Sequence, residues 1–315
     1  MTAADAPPPF RQLAGDVVCI DAAYIAPGLA CFYLLGDGDE YALVDTGTAC
    51  SLDNLLATLD ALGIAPEQLR YVVPTHVHLD HAGAAGLYLQ SFPAAELLVH
   101  PRGARHLVDP GKLIASAIAV YGEATFHELY GELVPAPPER VRSLADGEAF
   151  YVGSRRLEAV HLRGHAEHHF CLWDERSEGW FTGDNFGISY DFLRLPTGAF
   201  LLPATTPTQF DPAAYRATVR TLAARGPRWL YLTHYGALAF EAQQVDLLCA
   251  QLHRYEALEG TPGEALPAAL SACTEEALGA FAGPSLAAEL AARLAMDLTL
   301  NAQGIAVRSQ RAATP

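Results

Sequence analysis

The chain has 315 residues, 51% of them hydrophobic, which suffices for one large domain or for one domain with a small appendage. Its net charge is −16 and Lys112 is its only lysine, so the composition argues against nucleic-acid binding, which depends on cations that neutralise phosphates. The six cysteines include no C-x-x-C pair and indicate neither a disulfide framework nor a cysteine metal site. The first ten residues lack the features of a signal peptide, and no apolar run reaches the roughly 20 residues of a membrane span, so we expect a cytoplasmic protein without membrane contact.

The apolar patterns of the first half predict short strands that alternate with helices. Strands are predicted at DVVCI, LACFYLLG and YALVD, followed by a helix over 51–62 whose leucines form one stripe. The strand RYVVPT, a helix over AGAAGLYLQSF and the strand ELLVH come next. A stretch with a helical pattern and many aromatic residues then covers 102–134.

The second half repeats this alternation before it becomes purely helical. Four β-type runs come first: AFYVG, RLEAVHL, HHFCLWDE and GWFTGD. A helix over 211–225, capped by Asp211 with Pro212 in its first turn, leads to RWLYLTH, which we predict to be the last strand. From 237 to the end only helical patterns occur. The sequence therefore predicts two α/β halves followed by a helical tail.

Five of the apolar runs end in, or lead into, residues that suit metal chemistry. Strand ends are where sites assemble in α/β folds, because rigid strands there hold exposed loops. The last four runs supply five histidines and two carboxylates, more than one tetrahedral ion takes, and these suit two ions with open positions for water and substrate. In chain order the residues at the five run ends are Asp45, His76, His78, Asp80, His81, His165, Asp184 and His234.

The spacing in HVHLDH has a physical explanation. In an extended segment alternate side chains share a side, so His76 and His78 are expected to bind one ion together. As the chain turns into a helix at Ala82, Asp80 and His81 are expected to turn toward a second ion. Four such residues would be costly to bury without ions. Imidazole and carboxylate ligands suit zinc, iron or manganese, and of these we expect zinc.

The motifs THVHLDHAG, HLRGH, TGDN and LTHYG, in this order after LVDTG, resemble the five motifs of the metallo-β-lactamase superfamily of hydrolases. The resemblance covers about residues 15–236. It implies an α/β fold of the αββα sandwich type, with the site at one edge of two packed sheets. With it we predict a hydrolase domain over 1–236, which contains a helical insertion over about 102–134, and a C-terminal helical extension over 237–315.

The resemblance also implies a role for each residue at the strand ends. The family's third-motif histidine follows a glycine, which selects His165 after Gly164 over its neighbours. His168 and His169 depart from the small residues usual at their positions, and their role is open. The implied ligands are His76, His78 and His165 for the first metal and Asp80, His81 and His234 for the second, with Asp184 as the bridge and Asp45 as the residue that orients the site.

The superfamily hosts several reactions. Its nucleases favour a basic surface, which this chain lacks. Its flavin-linked di-iron branch typically has a glutamate in place of His78 and a flavodoxin domain, and neither is present in this sequence. The glyoxalase II branch binds anionic glutathione through a helical C-terminal domain, whereas this chain has four arginines against nine acidic residues from 241 onward. The lactonases resemble HLDHAG well. A mononuclear iron dioxygenase-like enzyme and a low-turnover metal-containing sensor are the alternatives.

We therefore expect a hydrolase that cleaves a small ester, lactone or thioester with a hydroxide held by two metal ions. The expected catalytic residues are Asp80, Asp184 and Tyr190, the last because it follows Asp184 closely and could lie near a substrate carbonyl. Because basic residues are scarce, the substrate is expected to be a small molecule, neutral or weakly charged and partly apolar. The sequence does not decide whether 102–134 is core or lid, or whether the C-terminal helices form a homodimer contact.

Overall fold

The computed structural model describes residues 8–206 and 209–312. The prediction that no signal peptide is present rests largely on residues 1–7, and the predicted helical tail extends over 313–315; both segments lie outside the described residues. The chain packs as two compact units. The first comprises the described residues up to His161, His168–Gly183 and Trp229–Ala237; the second comprises Leu162–Glu167, Asp184–Arg228 and the described residues from Leu238. The domain boundary predicted at 236 stays a prediction.

The strands follow one another in two groups along the chain. In order they are β1 (Phe10–Leu13), β2 (Val17–Asp21), β3 (Cys31–Asp37), β4 (Glu40–Val44), β5 (Leu69–Val73), β6 (Glu96–Val99), β7 (Val141–Ser143), β8 (Ala149–Val152), β9 (Arg155–His161), β10 (Phe170–Asp174), β11 (Gly179–Gly183), β12 (Arg194–Leu195), β13 (Gly198–Ala199), β14 (Trp229–Leu232) and β15 (Gly236–Ala239).

The helices lie between strands within each group and after the last strand. In order they are α1 (Leu52–Leu62), α2 (Leu79–Ala82), α3 (Ala85–Ser91), α4 (Pro101–Val108), α5 (Gly111–Tyr121), α6 (Glu123–Tyr130), α7 (Pro212–Ala224), α8 (Ala242–Ala257), α9 (Leu266–Ala282), α10 (Pro284–Arg293) and α11 (Ala295–Ala312). None of these helices of the described chain is both long enough and apolar enough to span a membrane.

Two sheets organise the first unit. The seven-stranded sheet has the order β1 to β7, antiparallel through β4 and parallel from β4 to β7. The six-stranded sheet has the order β15-β14-β11-β10-β9-β8, and its β11 and β14 are parallel. The parallel pairs bring several carboxyl ends of strands to the same edge of each sheet.

Strand β3 shows why these sheets pack together. Its residues are apolar on both faces, as expected for a strand covered on two sides. Tyr33 points to the other sheet, where its ring centroid lies 5.2 Å from that of Phe181 and 5.5 Å from that of Tyr231. Phe32 and Leu34, on the opposite face, belong to a buried cluster that includes the inner residues of α1 and α3. The unit thus has helices packed on one sheet and that sheet packed on the second.

The helical insertion predicted over 102–134 is present as α4, α5 and α6. Phe126 and Tyr130 are buried in the core cluster of the first unit, whereas α5 has only half-buried and exposed residues. The inner face of the insertion is therefore part of the core.

In the second unit, α7 begins as the sequence predicts. The Asp211 carboxylate accepts hydrogen bonds from the backbone N–H groups of Ala213 and Ala214, and Pro212 occupies the first turn. Asn301 of α11 donates its amide N–H groups to the Pro203 carbonyl (2.8 Å) and to the Tyr255 hydroxyl of α8 (3.1 Å). These buried bonds connect the C-terminal helices to the loop that precedes α7.

Three features of the chain differ from the sequence predictions. RWLYLTH is not the last strand, because β15 follows it and the helical pattern begins only at α8. The sequence of β15, GALA, has four residues, most of them small, and no strand pattern of its own. It is a strand because it pairs with its neighbour in the sheet. The helix predicted to begin at Ala82 begins at Leu79 and breaks before α3. The sequence reading also missed β1 and β7, which are sheet-edge strands of three or four half-exposed residues.

Candidate metal centre

Most of the predicted ligands follow strands that end at one edge of the first unit. Asp45 comes directly after β4, and His76 lies three residues after β5, which is parallel to β4. His234 lies two residues after β14. The carboxyl ends of parallel strands share an edge, and the loops that follow them bring these side chains together.

The two histidines of the H-x-H pair lie side by side. His76 Nε2 and His78 Nδ1 are 2.7 Å apart, and the His76 ring centroid lies 4.0 Å from that of His81. His78 has extended backbone angles and forms the N-cap of α2, so Asp80 and His81 lie in the first helical turn. The turn into the helix thus comes before Asp80 rather than after His81.

Asp80, His81 and His234 form a group of metal-ligand type within the first unit. One ligand atom from each lies within 4.8 Å of the others. Asp80 Oδ2 is 3.2 Å from His234 Nε2 and 3.7 Å from His81 Nε2. His81 and His234 are buried, and Asp80 is about one-fifth exposed.

Asp45 connects three of the strand ends behind this group. Its Oδ1 accepts hydrogen bonds from the Thr75 backbone N–H (2.7 Å) and hydroxyl (2.8 Å). Its Oδ2 accepts one from the Thr233 hydroxyl (2.6 Å) and lies 2.9 Å from His81 Nδ1. Asp45 is buried and has φ +61°, a left-handed conformation that aspartate tolerates better than most residues.

These contacts determine which ring nitrogen of each histidine faces the group. His234 Nδ1 is 2.8 Å from the Leu29 carbonyl oxygen, which can only accept, so Nδ1 carries the proton and Nε2 keeps a lone pair. The Asp45 carboxylate has the same effect on His81. A histidine that donates one ring N–H and presents the other nitrogen is oriented as a metal ligand. Two such histidines and a carboxylate fit a divalent ion.

His165 and Asp184 belong to the second unit, where they are paired. His165 Nε2 is 3.3 Å from Asp184 Oδ2, and its Nδ1 is 2.9 Å from the Ala204 carbonyl oxygen. His165 therefore has the same tautomer as His81 and His234. Gly164 has φ +135°, and a Cβ there would lie 2.3 Å from the Tyr215 Cα, so only glycine permits this approach.

His161 has a different role from its neighbours. Its Nε2 is 2.9 Å from the Leu144 carbonyl oxygen, and its ring centroid is 4.1 Å from that of His100. His100 Nδ1 in turn accepts a hydrogen bond from the Arg102 backbone N–H. Burial, and then the proximity of His161, lowers the pKa of His100 to about 4. His100 is therefore neutral at pH 7, and both histidines of this pair have protein partners.

His168 and His169, whose role the sequence left open, lie against the H-x-H pair. The His169 ring stacks on that of His76, with centroids 4.7 Å apart, and the His168 centroid is 5.4 Å from that of His78. A Cβ at Gly183 would lie 2.6 Å from His169 Nε2. Their place at the start of β10, at the edge where β9 and β11 end, is the signal that could have located them.

Tyr190 is in the second unit and is buried. Its hydroxyl donates a hydrogen bond to Asp297 Oδ1 of α11 (2.9 Å), and its ring stacks on that of Phe192 with centroids 5.4 Å apart. The guanidinium of Arg293 lies 3.8 Å from the Phe192 ring centroid. The catalytic role of Tyr190 stays a prediction.

Three tyrosines of the first unit, Tyr24, Tyr121 and Tyr130, form a group that we call the tyrosine cluster. The Tyr24 and Tyr130 hydroxyls are 3.0 Å apart, and the ring centroids of Tyr121 and Tyr130 are 6.0 Å apart. Burial, followed by the negative charge of Asp80, raises the pKa of Tyr121. Burial, then Tyr24, then Asp80 raise the pKa of Tyr130 far above its usual value. Asp80 therefore acts on both tyrosines of the insertion.

Comparisons with known proteins agree with the motifs. The sequence profile described as the metallo-beta-lactamase superfamily matches residues 27–234. The metallo-beta-lactamase fold-containing protein ST1585 of Sulfurisphaera tokodaii is 26% identical over 217 residues, 68% of this chain and 75% of that protein. An atrochrysone carboxyl ACP thioesterase of Aspergillus fumigatus is 31% identical over 153 residues, 48% of this chain but only 38% of the thioesterase.

Solved structures show the same fold at low identity. The crystal structure of ST1585 from Sulfolobus tokodaii has a TM-score of 0.61 at 22% identity and covers 89% of this chain and 93% of that one. The chemotaxis sensor ODP, described as a peroxy di-iron species, has a TM-score of 0.54 at 15% identity and covers 76% of this chain and 93% of that one. At these identities the likeness concerns the fold alone.

These findings confirm the fold class that the motifs imply, an αββα sandwich with a helical insertion and a C-terminal helical extension. The profile covers more than half of the chain, including the stretch from Asp45 to His234. The superfamily includes metal-dependent hydrolases, and the histidine and aspartate groups of this chain fit a divalent metal. The chain belongs to the metallo-β-lactamase superfamily.

Proposed function

We propose that this protein is a metal-dependent hydrolase that cleaves a small ester, lactone or thioester. The observation that carries the proposal is the group formed by Asp80, His81 and His234, in which each histidine presents Nε2 and is held through Nδ1. The similarity to a thioesterase over about half of the chain supports an acyl substrate. The net charge of −16 makes nucleic acid an unsuitable substrate.

The proposal includes two divalent ions, zinc in the first place and iron or manganese as alternatives. Bound ions of this kind lower the pKa of water to near neutrality and polarise a carbonyl, so they supply both the nucleophile and the electrophile of a hydrolysis. Asp80, His81 and His234 would hold one ion, and His76 and His78 would bind the other. The order of the motifs, rather than a measured distance, assigns His165 and Asp184 to the same centre.

The protein's own residues would orient the ligands and limit their motion. The Asp45 carboxylate and the Leu29 carbonyl fix the rings of His81 and His234, so that neither histidine must reorient when a metal binds. The stacking of His169 on His76 restricts the rotation of the His76 ring. Hydrolysis by this arrangement requires no serine or cysteine nucleophile.

Elemental analysis and activity assays on protein purified without chelator test the proposal. We expect about two divalent ions per chain and turnover of at least one class among esters, lactones and thioesters by the metal-loaded protein. A ratio that stays at one ion after metal supplementation would contradict the dinuclear centre. The absence of turnover across the panel at full metal content would contradict the hydrolase function and favour a sensor.

Substitutions in the second unit test the residues that the motif order assigns. Asp184→Asn removes the charge that a bridge requires and keeps the size, so activity and metal content should fall while the metal-free fold keeps its stability. Alanine variants of His161, His165, His168 and His169, each assayed for metal content, identify the third-motif ligand. Loss of metal is expected for His165→Ala; retention there with loss in another variant would reassign it.

A further inference from the structure

The tyrosine cluster is assembled from two distant parts of the first unit. Tyr24 comes from the loop between β2 and β3, whereas Tyr121 ends α5 and Tyr130 ends α6 of the insertion. Tyr24 and Tyr130 are buried, with their hydroxyls 3.0 Å apart. Each of these two buried hydroxyls thus has a polar partner, which holds both rings in place.

The loop that carries Tyr24 has an unusual backbone. Ala23 and Ile25, on either side of Tyr24, have φ values of +51° and +62°. Residues other than glycine rarely adopt this conformation, and a β-branched residue such as isoleucine is especially unfavourable there. Asp21 supports the loop by accepting hydrogen bonds from the backbone N–H groups of Ala23 (2.8 Å) and Gly28 (2.7 Å). Such strain persists where surrounding structure enforces it, often at functional sites.

The same loop also orients a predicted metal ligand. Five residues after Tyr24, the Leu29 carbonyl oxygen lies 2.8 Å from His234 Nδ1. His234 Nε2 in turn faces Asp80 at 3.2 Å. One loop therefore carries both Tyr24 and the carbonyl group that fixes His234. Tyr24 and Tyr130 also belong to the same buried cluster as Leu79, the neighbour of Asp80, so the tyrosine cluster shares its core with the segment that carries Asp80. The influence of Asp80 on the insertion's two tyrosines agrees with this position.

The three tyrosines differ in how accessible they are. Tyr24 and Tyr130 are almost fully buried, whereas Tyr121, at the end of α5, is half-buried. Tyr121 is therefore the member of the cluster with the most accessible surface, and its ring centroid lies 6.0 Å from that of Tyr130. A tyrosine hydroxyl with an ordinary pKa of about 10 is protonated at neutral pH, so both can donate hydrogen bonds.

We propose that Tyr121 donates a hydrogen bond to the leaving-group oxygen of the substrate, and that Tyr130 and Tyr24 are the residues that position it. This inference rests on the proposed hydrolase function and narrows its substrate class. A phenolic O–H donates well to oxygen, whereas sulfur is a weak acceptor. The preferred substrates are therefore oxygen esters and lactones rather than thioesters.

The test compares phenyl acetate with S-phenyl thioacetate as substrates of the metal-loaded full chain. The readout is the ratio of kcat/KM for the oxygen ester to kcat/KM for the thioester. This ratio is compared between variant and wild type, so the different intrinsic reactivities of the two substrates cancel. Tyr121→Phe should lower the ratio by roughly tenfold, the effect of one lost hydrogen bond. Tyr130→Phe should lower it less, since Tyr121 remains but loses the group behind it.

Tyr151→Phe is the matched control, because Tyr151 is 54% exposed on β8 and outside the cluster; it should leave the ratio unchanged. A loss of activity in Tyr121→Phe that is equal for both substrates would indicate a structural role and overturn the proposal. An unchanged ratio in Tyr121→Phe would overturn it as well.

A binding experiment separates this inference from the hydrolase proposal. 4-Fluoroanisole and its sulfur analogue, 4-fluorothioanisole, cannot be hydrolysed, and ¹⁹F NMR reports their binding to the metal-loaded protein without turnover. Wild type should bind the ether several-fold more tightly than the sulfide, and Tyr121→Phe should lose this preference. If wild type cleaves neither ester, the hydrolase function fails on its own. Equal binding of ether and sulfide to wild type, or a preference that survives in Tyr121→Phe, overturns the role of Tyr121.

Discussion

Strand β10 joins two buried polar clusters of the first unit that differ in how their charges are balanced. At its start, His168 and His169 lie against His76 and His78. At its end, Asp174 pairs with an arginine. Each end of β10 contributes to one of the two clusters, and most of the side chains in both are buried. The difference between them indicates which one supports the fold and which one is suited to a divalent metal ion.

The pair at the end of β10 is satisfied by the protein itself. Arg155 Nε and Nη2 donate to the two Asp174 carboxylate oxygens at 2.9 and 2.6 Å, and neither side chain has exposed surface. Arg155 Nη1 donates to the Asp16 carbonyl, and the Ser177 backbone N–H donates to Asp174. A buried ion pair is tolerable only with this kind of complete hydrogen bonding.

The cluster at the start of β10 is built from imidazole rings and carboxylates. Asp45 receives hydrogen bonds from threonines and from a histidine, while Asp80 faces the Nε2 atoms of His81 and His234. A divalent cation among these groups would balance the carboxylate charge and use the ring lone pairs. A buried polar cluster whose charges are balanced by the chain's own residues stabilises the fold. A cluster whose carboxylate charge would be balanced by a bound cation indicates a functional site.

Exchanging one aspartate in each cluster tests this distinction most strongly. Asp80→Asn should lower kcat/KM by three to four orders of magnitude, about 4–5 kcal/mol of transition-state stabilisation, because an amide is a poor metal ligand. Steady-state kinetics and metal content are the measurements. Asp174→Asn, the matched exchange at the other end of β10, should leave the kinetics of the folded protein unchanged. A similar loss of activity in both variants would contradict the division into a functional and a structural cluster.

The second prediction concerns stability. Arg155→Met leaves the Asp174 carboxylate buried without its cation, which should lower the free energy of unfolding by about 3–5 kcal/mol. Denaturant unfolding of the metal-free protein is the measurement, so that metal binding does not contribute. Arg156→Met, one residue along β9, removes a partly exposed arginine and should cost less than about 1 kcal/mol. Equal losses of unfolding free energy in the two variants would show that the buried ion pair contributes no more to stability than the exposed arginine.

The sequence revealed these two clusters unequally. The metal-type cluster was predictable because its central part, from His76 to His81, is contiguous and follows an apolar run whose end defines a sheet edge. Arg155 and Asp174 are 19 residues apart and meet only through the antiparallel pairing of β9 with β10. No local pattern distinguishes either from a surface charge.

The same limit applies to parts of the fold and the site. The αββα class followed from motif order, but β15 could not be predicted because GALA becomes a strand only through pairing with its neighbours in the sheet. The contact of His169 with His76 depends on where β10 begins, which sequence patterns define only to within a few residues. The meeting of Tyr24 with Tyr130, 106 residues apart, is likewise a product of tertiary packing.

A third prediction concerns Asp45, whose carboxylate contacts the side chains behind the metal-type cluster. Asp45→Asn keeps the size and tolerates the left-handed backbone, but it weakens the hold on His81 Nδ1. Metal affinity should fall by about 10- to 100-fold, as for other partners of ligand histidines. Competition with a chromophoric chelator measures it. Unchanged affinity would mean that Asp45 supports only the fold.

The smallest effect on stability is expected at His100 and His161. Like Arg155 and Asp174, these two histidines have partners within the protein. The pKa of His100 is about 4 in the folded chain, chiefly through burial, against about 6.5 when unfolded. Between these values the unfolded chain binds more protons, so the stability present above pH 6.5 is lost as the pH falls toward 4. The loss attributable to His100 should be about 1–2 kcal/mol, since the charges of Arg102 and Asp146 nearby are exposed and screened.

His100→Asn removes the titration and keeps a good N-cap for α4, where His100 Nδ1 accepts a hydrogen bond from the Arg102 backbone N–H. Urea unfolding of both proteins with chelator at pH 7.5 and pH 5 should show a smaller pH-dependent loss for the variant; an equal loss would mean that His100 is protonated as readily in the folded chain as in the unfolded one.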